Sequence, residues 1–552
     1  MNNYTPAKHQ LVYIFLLICF FAKATDYHVG PSETLITIAE VPWATLQPGD
    51  RVYIHWRATP YKEKWVINRQ GTETNPIEII GVSNAQGEQP IIDGADAVTP
   101  TNLSYWGDQR GVIKIGGSSV PQDGLPSHII IDNLDIRSAR PAYSFIDENE
   151  QSQTYTNNAA AIYVEKASNL TIRNCTLSDS GNGLFIGAFD GQTANILIEG
   201  NYIYDNGIVG RIFEHNAYTA ALGITYQFNR FGPLRDGALG NNLKDRSAGL
   251  VVRYNWIESG NRQLDLVDAE DSQVLVNDPS YNTTYVYGNI LIEPDGAGNS
   301  QMVHYGGDSG TTADYRKGNL YFYNNTLIST RSGNTTLIRL STNDETANIF
   351  NNIVYNTASG SNLAMIDGSG TANIQHNWFK SGYTDCHCTP SGAVTDLGGN
   401  ITGENPGFED LNTQSYNLLA NSAVIDQGMA VPGNLLPDYA VESIYSKHQS
   451  SLPRVVNNAL DMGAFEFDEN LSVIDVELNE QIIAYPNPIR NKLNILGITD
   501  RLTSPIVLYD NLGRKIKTVA LSQNTIDLSD FSSGVYYLNL GSSKSTIKLI
   551  KE

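Results

Sequence analysis

The sequence predicts an all-β fold, a right-handed parallel β-helix (solenoid) followed by a small C-terminal β-sandwich domain. Three observations carry this. First, an Asn recurs at the end of one short apolar strand and just before another: Asn133, Asn174, Asn201, Asn229, Asn255, Asn289, Asn325, Asn352 and Asn377. The intervals are mostly 25 to 28 residues, with longer ones of 34, 36 and 41, as expected of stacked coils carrying loop insertions. Second, the segments between them, such as LTIRN and ILIEGN, alternate apolar and polar side chains at the period of a strand. Third, 48 Gly and abundant Asn supply the tight turns that many short strands need. Asn is suited to the corner between two sheets because it tolerates a left-handed backbone, and its amide can bond to the Asn of the next coil.

The remaining composition narrows the function. Of 552 residues, 17% are charged and 41% hydrophobic, which describes a folded protein. The net charge of −22 argues against a nucleic-acid partner, since affinity for phosphate backbones rests on Lys and Arg. Lys8, the run LVYIFLLICFFA and Ala22-Lys23-Ala24 form an export signal over residues 1–24, too short to span a bilayer comfortably. No other run reads as a transmembrane segment. The mature chain retains Cys175, Cys386 and Cys388. Cys386-His387-Cys388 is too closely spaced for an ordinary zinc site and reads as a loop pair oxidised to each other.

Taken in order, DRVYIHW and NPIEIIGV mark the first strands, punctuated by Pro48-Gly49-Asp50 and Asn75-Pro76. They resemble the N-terminal coils of right-handed parallel β-helix proteins. The helix body is assigned to residues 25–400 and a C-terminal cap region to 401–469. The cap contains ENPGFED, SAVIDQG and LDMGAFEF, which resemble the closing segment of secreted β-helix proteins; Asp426, Asp461 and Glu466 there read as turn and cap ligands. Residues 482–552 contain AYPNP, YDNLGR, SSGVYYLNL and a Lys-rich end. These resemble the type IX secretion sorting domain of Bacteroidetes-type bacteria. The resemblance implies a secreted or cell-surface protein that engages the secretion machinery through this domain.

Chemistry concentrates between Arg211 and Asp271. His215 and Asn216 precede Asn229 by 14 and 13 residues, and Asn241 and Asn242 precede Asn255 by the same 14 and 13. Residues at equal offset should lie on adjacent rungs about 4.8 Å apart. Tyr218 is therefore expected beside Lys244. With Leu243, Leu264 and Leu266 pointing inward, the solvent face should present Tyr218, Lys244, Arg246 and Asp265, with His215, Arg262 and Asp268 at its margins.

Such a set suits β-elimination on an acidic glycan. A cation neutralises the uronate carboxylate, a base takes the C5 proton, and an acid assists the leaving oxygen. Repulsion from Arg246 would lower the Lys244 pKa and make it a base. Tyr218 or His215 would be the acid, and Arg262 or Arg246 would hold the carboxylate. Asn216, Asn242, Arg253 and Asp265 complete the candidate substrate contacts. The carboxylates of LDLVDAED allow two other readings: a glycoside hydrolase using Asp265 and Asp268 or their neighbours Glu270 and Asp271, or Ca²⁺ held by Asp265, Asp268 and Asp271. No further cofactor is expected. The same side chains also suit an outer-wall ion-pair network, and a non-catalytic glycan-binding or adhesive β-helix remains open.

PGDRVYIHW, HNAY, NNLKDRSAG and GNRQLDLVD together resemble bacterial secreted β-helix proteins that degrade extracellular polysaccharide, including alginate and chondroitin lyases of the β-helix class. That resemblance implies a Lys and an Arg on neighbouring coils as catalytic groups, which maps to Lys244 and Arg262. The chain departs from those lyases in having Leu243-Lys244-Asp245 in place of Asn-Lys-Ser, and it lacks their Arg-His-Gly. The Asp-Asp and Gly-His-Gly signature of polygalacturonase-type β-helices is absent too.

Overall fold

The computed structural model describes residues 24–467 and, in the C-terminal segment, strands and turns between 483 and 551. Residues 1–23 of the expected export signal lie outside the described residues. The chain divides into two units, residues 1–468 and 469–552.

Among the described residues, the first unit is built on three long sheets of parallel strands, with 13, 11 and 10 members. We name them sheets I, II and III in that order. A representative coil runs through sheet III at Ala217–Thr219, sheet I at Leu222–Gln227 and sheet II at Arg230–Phe231, then returns to sheet III at Leu243–Asp245. Successive coils pair in register, Ile224 with Leu250 and Phe231 with Ile257. Inward Ile, Leu and Val side chains from all three sheets form one continuous apolar core. These features are those of a parallel β-helix, as the sequence predicts.

The corner between sheets I and II divides between two residues the tasks that the sequence reading gave to one. The first is left-handed: Asn133, Asn174, Gly200, Phe228, Tyr254, Gly288, Asn324, Asn351 and His376 have φ between 50° and 68°. The next residue forms the ladder. Asn201, Asn229, Asn255, Asn289, Asn325, Asn352 and Asn377 are buried, and each Oδ1 accepts the backbone N–H of the preceding coil at 2.9–3.0 Å. Asn400 extends the ladder by one rung. Asn133 and Asn174 therefore belong to the left-handed column, and Cys175 takes the ladder position in its coil. The two columns are adjacent in sequence, so a recurring Asn alone cannot distinguish them.

The Asn289 side chain donates to Val252 O and Asn325 Oδ1 and accepts from Asn255. Asn289→Ala is expected to cost about 1–3 kcal/mol for each buried group left unpaired, read as a lower midpoint in urea. An unchanged midpoint would contradict the ladder's role.

Residues 404–467 do more than cap the last coil. They run back along the corner, where Tyr254, Tyr287, Tyr323 and Phe350 pack with Leu435 and Val441. Tyr254 Oη accepts Glu442 N–H at 2.9 Å, Asn351 Nδ2 donates to Met429 O at 2.8 Å, and Gln449 Nε2 reaches Gly200 O at 3.0 Å. The left-handed corners turn aromatic rings and amides outward, and this strap covers them. Asp461 accepts the backbone N–H groups of Asp426 and Phe467, and Glu466 binds Arg454, consistent with turn and strap ligands. Cys386 and Cys388 are joined as a disulfide, and Cys175 is a buried thiol.

Among the described residues, the second unit has two antiparallel sheets of three and four strands around Leu493, Leu508, Ile526, Leu538 and Leu549. Its hairpin of Ile506–Asp510 and Lys515–Val519 carries an Asp510–Arg514 ion pair at 2.6 Å.

Candidate active site

The site lies on the outer face of sheet III. The register stacks Phe185, Tyr218, Lys244, Asp265, His304 and Arg339 as consecutive neighbours, with Tyr218 beside Lys244 and Lys244 beside Asp265 as expected. Leu243, Leu264 and Leu266 point into the core and thereby turn Lys244 and Asp265 outward. A cleft of about 860 Å³ opens here, lined by His215, Tyr218, Lys244, Arg246, Arg262 and Asp265 together with Asn241, Glu270, Asp308 and residues 211–214. Lys244, Arg246 and Asp265 are only 7%, 6% and 1% exposed, so they form the floor of a walled cleft and not an open face.

The floor is an ion-pair network. Lys244 Nζ donates to Asp265 Oδ2 at 3.0 Å and also binds the Asp308 carboxylate. Arg246 donates from Nε to Tyr218 Oη at 3.0 Å and from Nη2 to Asp308 Oδ1 at 2.9 Å, and it pairs with Glu270 at 2.8 Å. Asp308 thus bridges the two cations with one carboxylate. Asp265 also accepts from Asn241 Nδ2 at 2.7 Å and from His304 Nδ1 at 2.8 Å. His304 Nε2 in turn accepts the Ser341 hydroxyl at 2.9 Å, and Ser341 Oγ accepts Gly307 N–H at 2.9 Å. Asp268 Oδ1 accepts Asp308 N–H at 2.8 Å. The loop that presents Asp308 is therefore held from both sides.

Protonation follows from these partners. Burial alone would lower the Lys244 pKa, but the Asp265 and Asp308 carboxylates outweigh it and raise the value. The expectation that Arg246 would make Lys244 a free base is overturned: two anions sit closer to its charge than one cation can offset. Burial alone would raise Asp265 and Asp308, yet the neighbouring cations, led by Lys244, hold both below the usual carboxylate range. Burial and then Lys244 press His215 down to about 3, so its ring is neutral at physiological pH. Its Nδ1 accepts Asn241 N–H at 2.9 Å, which leaves the proton on Nε2.

Because the folded-state pKa values of Asp265 and Asp308 are depressed, their stabilising contribution is present above the unfolded-state value of about 4 and is lost as pH falls below it. Acid titration by circular dichroism should show loss of structure below about pH 4, shifted toward neutrality in Asp308→Asn. Coincident acid transitions of wild type and variant would contradict a stabilising bridge from Asp308 to Lys244 and Arg246.

Several expected roles are corrected by position. Asn216 and Asn242 are fully buried in a second amide ladder, where Asn216 Nδ2 donates to Asn242 Oδ1 at 2.8 Å, so neither faces the cleft. Arg253 projects from sheet I and binds Gln227 at 2.8 Å and Tyr287 at 3.1 Å, away from sheet III. Asp265, Asp268 and Asp271 do not converge on a Ca²⁺ site. Asp265 is bonded by Lys244, Asn241 and His304, Asp268 is buried against the 308–309 backbone, and Asp271 is exposed. Nor do Asp265 and Asp268 make a hydrolase pair, since Asp268 is not among the residues lining the cleft. Arg262 lines the rim 3.8 Å from Asp265.

Asp308 and His304 are not singled out by the sequence, and Asn241 is placed at the offset of His215 without a role. Asp308 and His304 fall in the 36-residue interval between Asn289 and Asn325, where the loop insertion destroys the equal-offset argument. The length of that interval was the available signal for a functional loop.

Fold and site together describe a parallel β-helix protein with a charged cleft on one sheet. Residues 483–552 match the family described as "Secretion system C-terminal sorting domain". The protein is secreted or displayed at the cell surface. No helix among the described residues is long and apolar enough to cross a membrane. No curated relative matches the chain by sequence. Among solved structures it is similar to pectate lyase Pel9A, at 12% identity and a TM-score of 0.45, over 81% of this chain and 97% of that one. It is also similar to an alginate lyase from Paenibacillus sp. str. FPU-7, at 11% identity and a TM-score of 0.38, over 60% and 92% of the two chains. A third likeness is to the Streptococcus pneumoniae surface protein and adhesin PfbA, at 10% identity and a TM-score of 0.39, over 64% and 89%. None of these likenesses assigns a role to a residue.

Proposed function

We propose that the protein is a secreted polysaccharide lyase that cleaves an acidic, uronate-containing glycan by β-elimination. One observation carries the reading: a carboxylate, that of Asp308, bridges Lys244 and Arg246 on the cleft floor beside Tyr218. The cleft is thus built to receive a carboxylate next to a phenol. A uronate carboxylate replacing Asp308 would keep Lys244 protonated, because one anion takes the place of another. Lys244 and Arg246 then stabilise the negative charge that develops on the uronate as its C5 proton leaves. Tyr218 is the proton-transfer group: its phenolic proton passes to the leaving glycosidic oxygen as its oxygen takes the C5 proton, which leaves the phenol neutral and the C4–O bond replaced by the C4=C5 double bond. His215 donates from Nε2. Asn241 and Arg262 also line the cleft and supply polar walls around the bound sugar. With Asp265 bonded to Lys244, Asn241 and His304 and Asp268 turned to the 308–309 backbone, these carboxylates do not fit Ca²⁺.

A second reading, hydrolysis, is favoured by one feature. Glu270 and Asp308 both bind Arg246, and their pKa values are pushed apart, Glu270 upward chiefly by burial and Asp308 downward by its cations. Asp308→Asn separates the two readings. Elimination predicts retained turnover and several-fold tighter binding of a uronate oligosaccharide, since the internal competitor is weakened. Hydrolysis predicts lost turnover. The first experiment is incubation with alginate, pectate, ulvan and chondroitin, following the ultraviolet absorbance of the new C4=C5 double bond. A rise with at least one polymer is expected. Reducing ends without that absorbance would sink the lyase reading, and neither signal would favour a binding-only cleft.

A further inference from the structure

The first coil carries a second cluster of chemically active side chains, distant in sequence from the cleft. Strand Asp26–Val29 is the first of sheet I and pairs in parallel with Arg51–His55, placing His28 opposite Tyr53 and diagonal to His55. Core-facing Val29, Val52 and Ile54 turn both histidines to the outer face. His28 Nδ1 lies 3.0 Å from His55 Nε2, and the other nitrogen of the same ring, His55 Nδ1, lies 3.6 Å from Glu33 Oε1. The three side chains are half-buried, and among the described residues they alone form a group of three or more His, Cys, Asp or Glu with ligand atoms within 4.8 Å of one another.

The surroundings hold the cluster in place. The His28 ring stacks on Tyr53 at 4.7 Å, which fixes its orientation. The turn carrying Glu33 is closed by Gly30 N–H to Leu35 O at 2.8 Å, Leu35 N–H to His28 O at 3.0 Å and Glu33 N–H to Gly30 O at 3.1 Å. A Cβ on Gly30 would lie 3.0 Å from His55 Cβ and 3.1 Å from Glu33 Cγ, so glycine provides the room for this packing.

We propose that His28 and His55 bind a divalent transition-metal ion of the zinc class, with Glu33 orienting His55. Two imidazoles on one tetrahedral zinc at about 2.05 Å place their nitrogens roughly 3.3 Å apart, close to the separation present here. His28 Nδ1 and His55 Nε2 are the ligand atoms. The Glu33 carboxylate, 3.6 Å from His55 Nδ1, would close on that N–H when the ion binds, the outer-shell arrangement that fixes the tautomer of a metal-bound histidine. Imidazole ligation favours zinc, copper or nickel over calcium or magnesium. The ion would join the first strand of sheet I to its neighbour, Arg51–His55.

The test uses the full exported chain, freed of metal by a chelator and titrated with zinc chloride by calorimetry, with thermal unfolding as a second readout. One equivalent of zinc and a rise in melting temperature are expected. His55→Ala should abolish both, while Glu33→Gln should weaken zinc binding by about 10- to 100-fold. Untitrated His55→Ala must keep the β-sheet spectrum, which separates lost binding from misfolding. Wild type that binds no more zinc than the folded His28→Ala/His55→Ala double variant would overturn the site and leave the pair an ordinary His–His hydrogen bond.

Discussion

Lys244→Ala is expected to reduce cleavage of the acidic glycan by about 10²–10³-fold or more. Lys244 and Arg246 together receive the carboxylate, and removing one halves the charge that stabilises the carbanion-like transition state. Lys244 is 7% exposed and its ammonium is fixed by Asp265 and Asp308, so it reaches the reaction already oriented. The loss should fall on kcat more than on KM, because Arg246 still holds the ground-state carboxylate. Circular dichroism must confirm that the variant is folded. Turnover near the wild-type rate would remove Lys244 from the mechanism. Tyr218→Phe deletes one oxygen and should cost about 10²–10⁴-fold as the proton-transfer group is lost.

The second large effect is on stability. Asp265 is 1% exposed and is the shared partner of Lys244, Asn241 and His304. Asp265→Ala leaves a buried ammonium with only Asp308, and a buried imidazole N–H with no acceptor. Breaking one side of such a buried pair costs about 3–5 kcal/mol. His304 also anchors Gly307 through Ser341, so the Asp308 loop should loosen as well. Denaturant unfolding should show the loss, and hydrogen exchange should show its spread to residues 306–309. A variant as stable as wild type would mean that the network is solvated in solution and contributes little.

Much of the architecture was legible because a solenoid repeats. The Asn spacing marks the coils, and equal offsets from Asn229 and Asn255 put Tyr218 beside Lys244, the pairing found in sheet III. Strand alternation placed Asp265 on the same face. What escaped was whatever repetition does not encode. Asp308 comes from an insertion whose path depends on Asp268 and Ser341, two partners distant in sequence that hold the backbone of Asp308 and Gly307. Without Asp308, Lys244 looked like a lysine crowded by Arg246 instead of one shared by two carboxylates. Arg253 is near the site in sequence, but it lies past the two-residue turn that carries the chain from sheet III at Leu243–Asp245 to sheet I at Ala248–Arg253. Asn216 and Asn242 looked like sugar-binding amides, but at a corner of a β-helix an amide side chain turned inward bonds to its own coils.

The central claim, that the Lys244–Arg246–Tyr218 cleft performs β-elimination on a carboxylate-bearing sugar, is tested most directly by the masses of the products from one defined uronate oligosaccharide. Elimination adds no water: the two product masses should sum to that of the substrate, with the unsaturated sugar at the new non-reducing end, and Tyr218→Phe should form neither product at an appreciable rate. Products whose masses sum to that of the substrate plus one water would contradict the account and assign the cleft to hydrolysis.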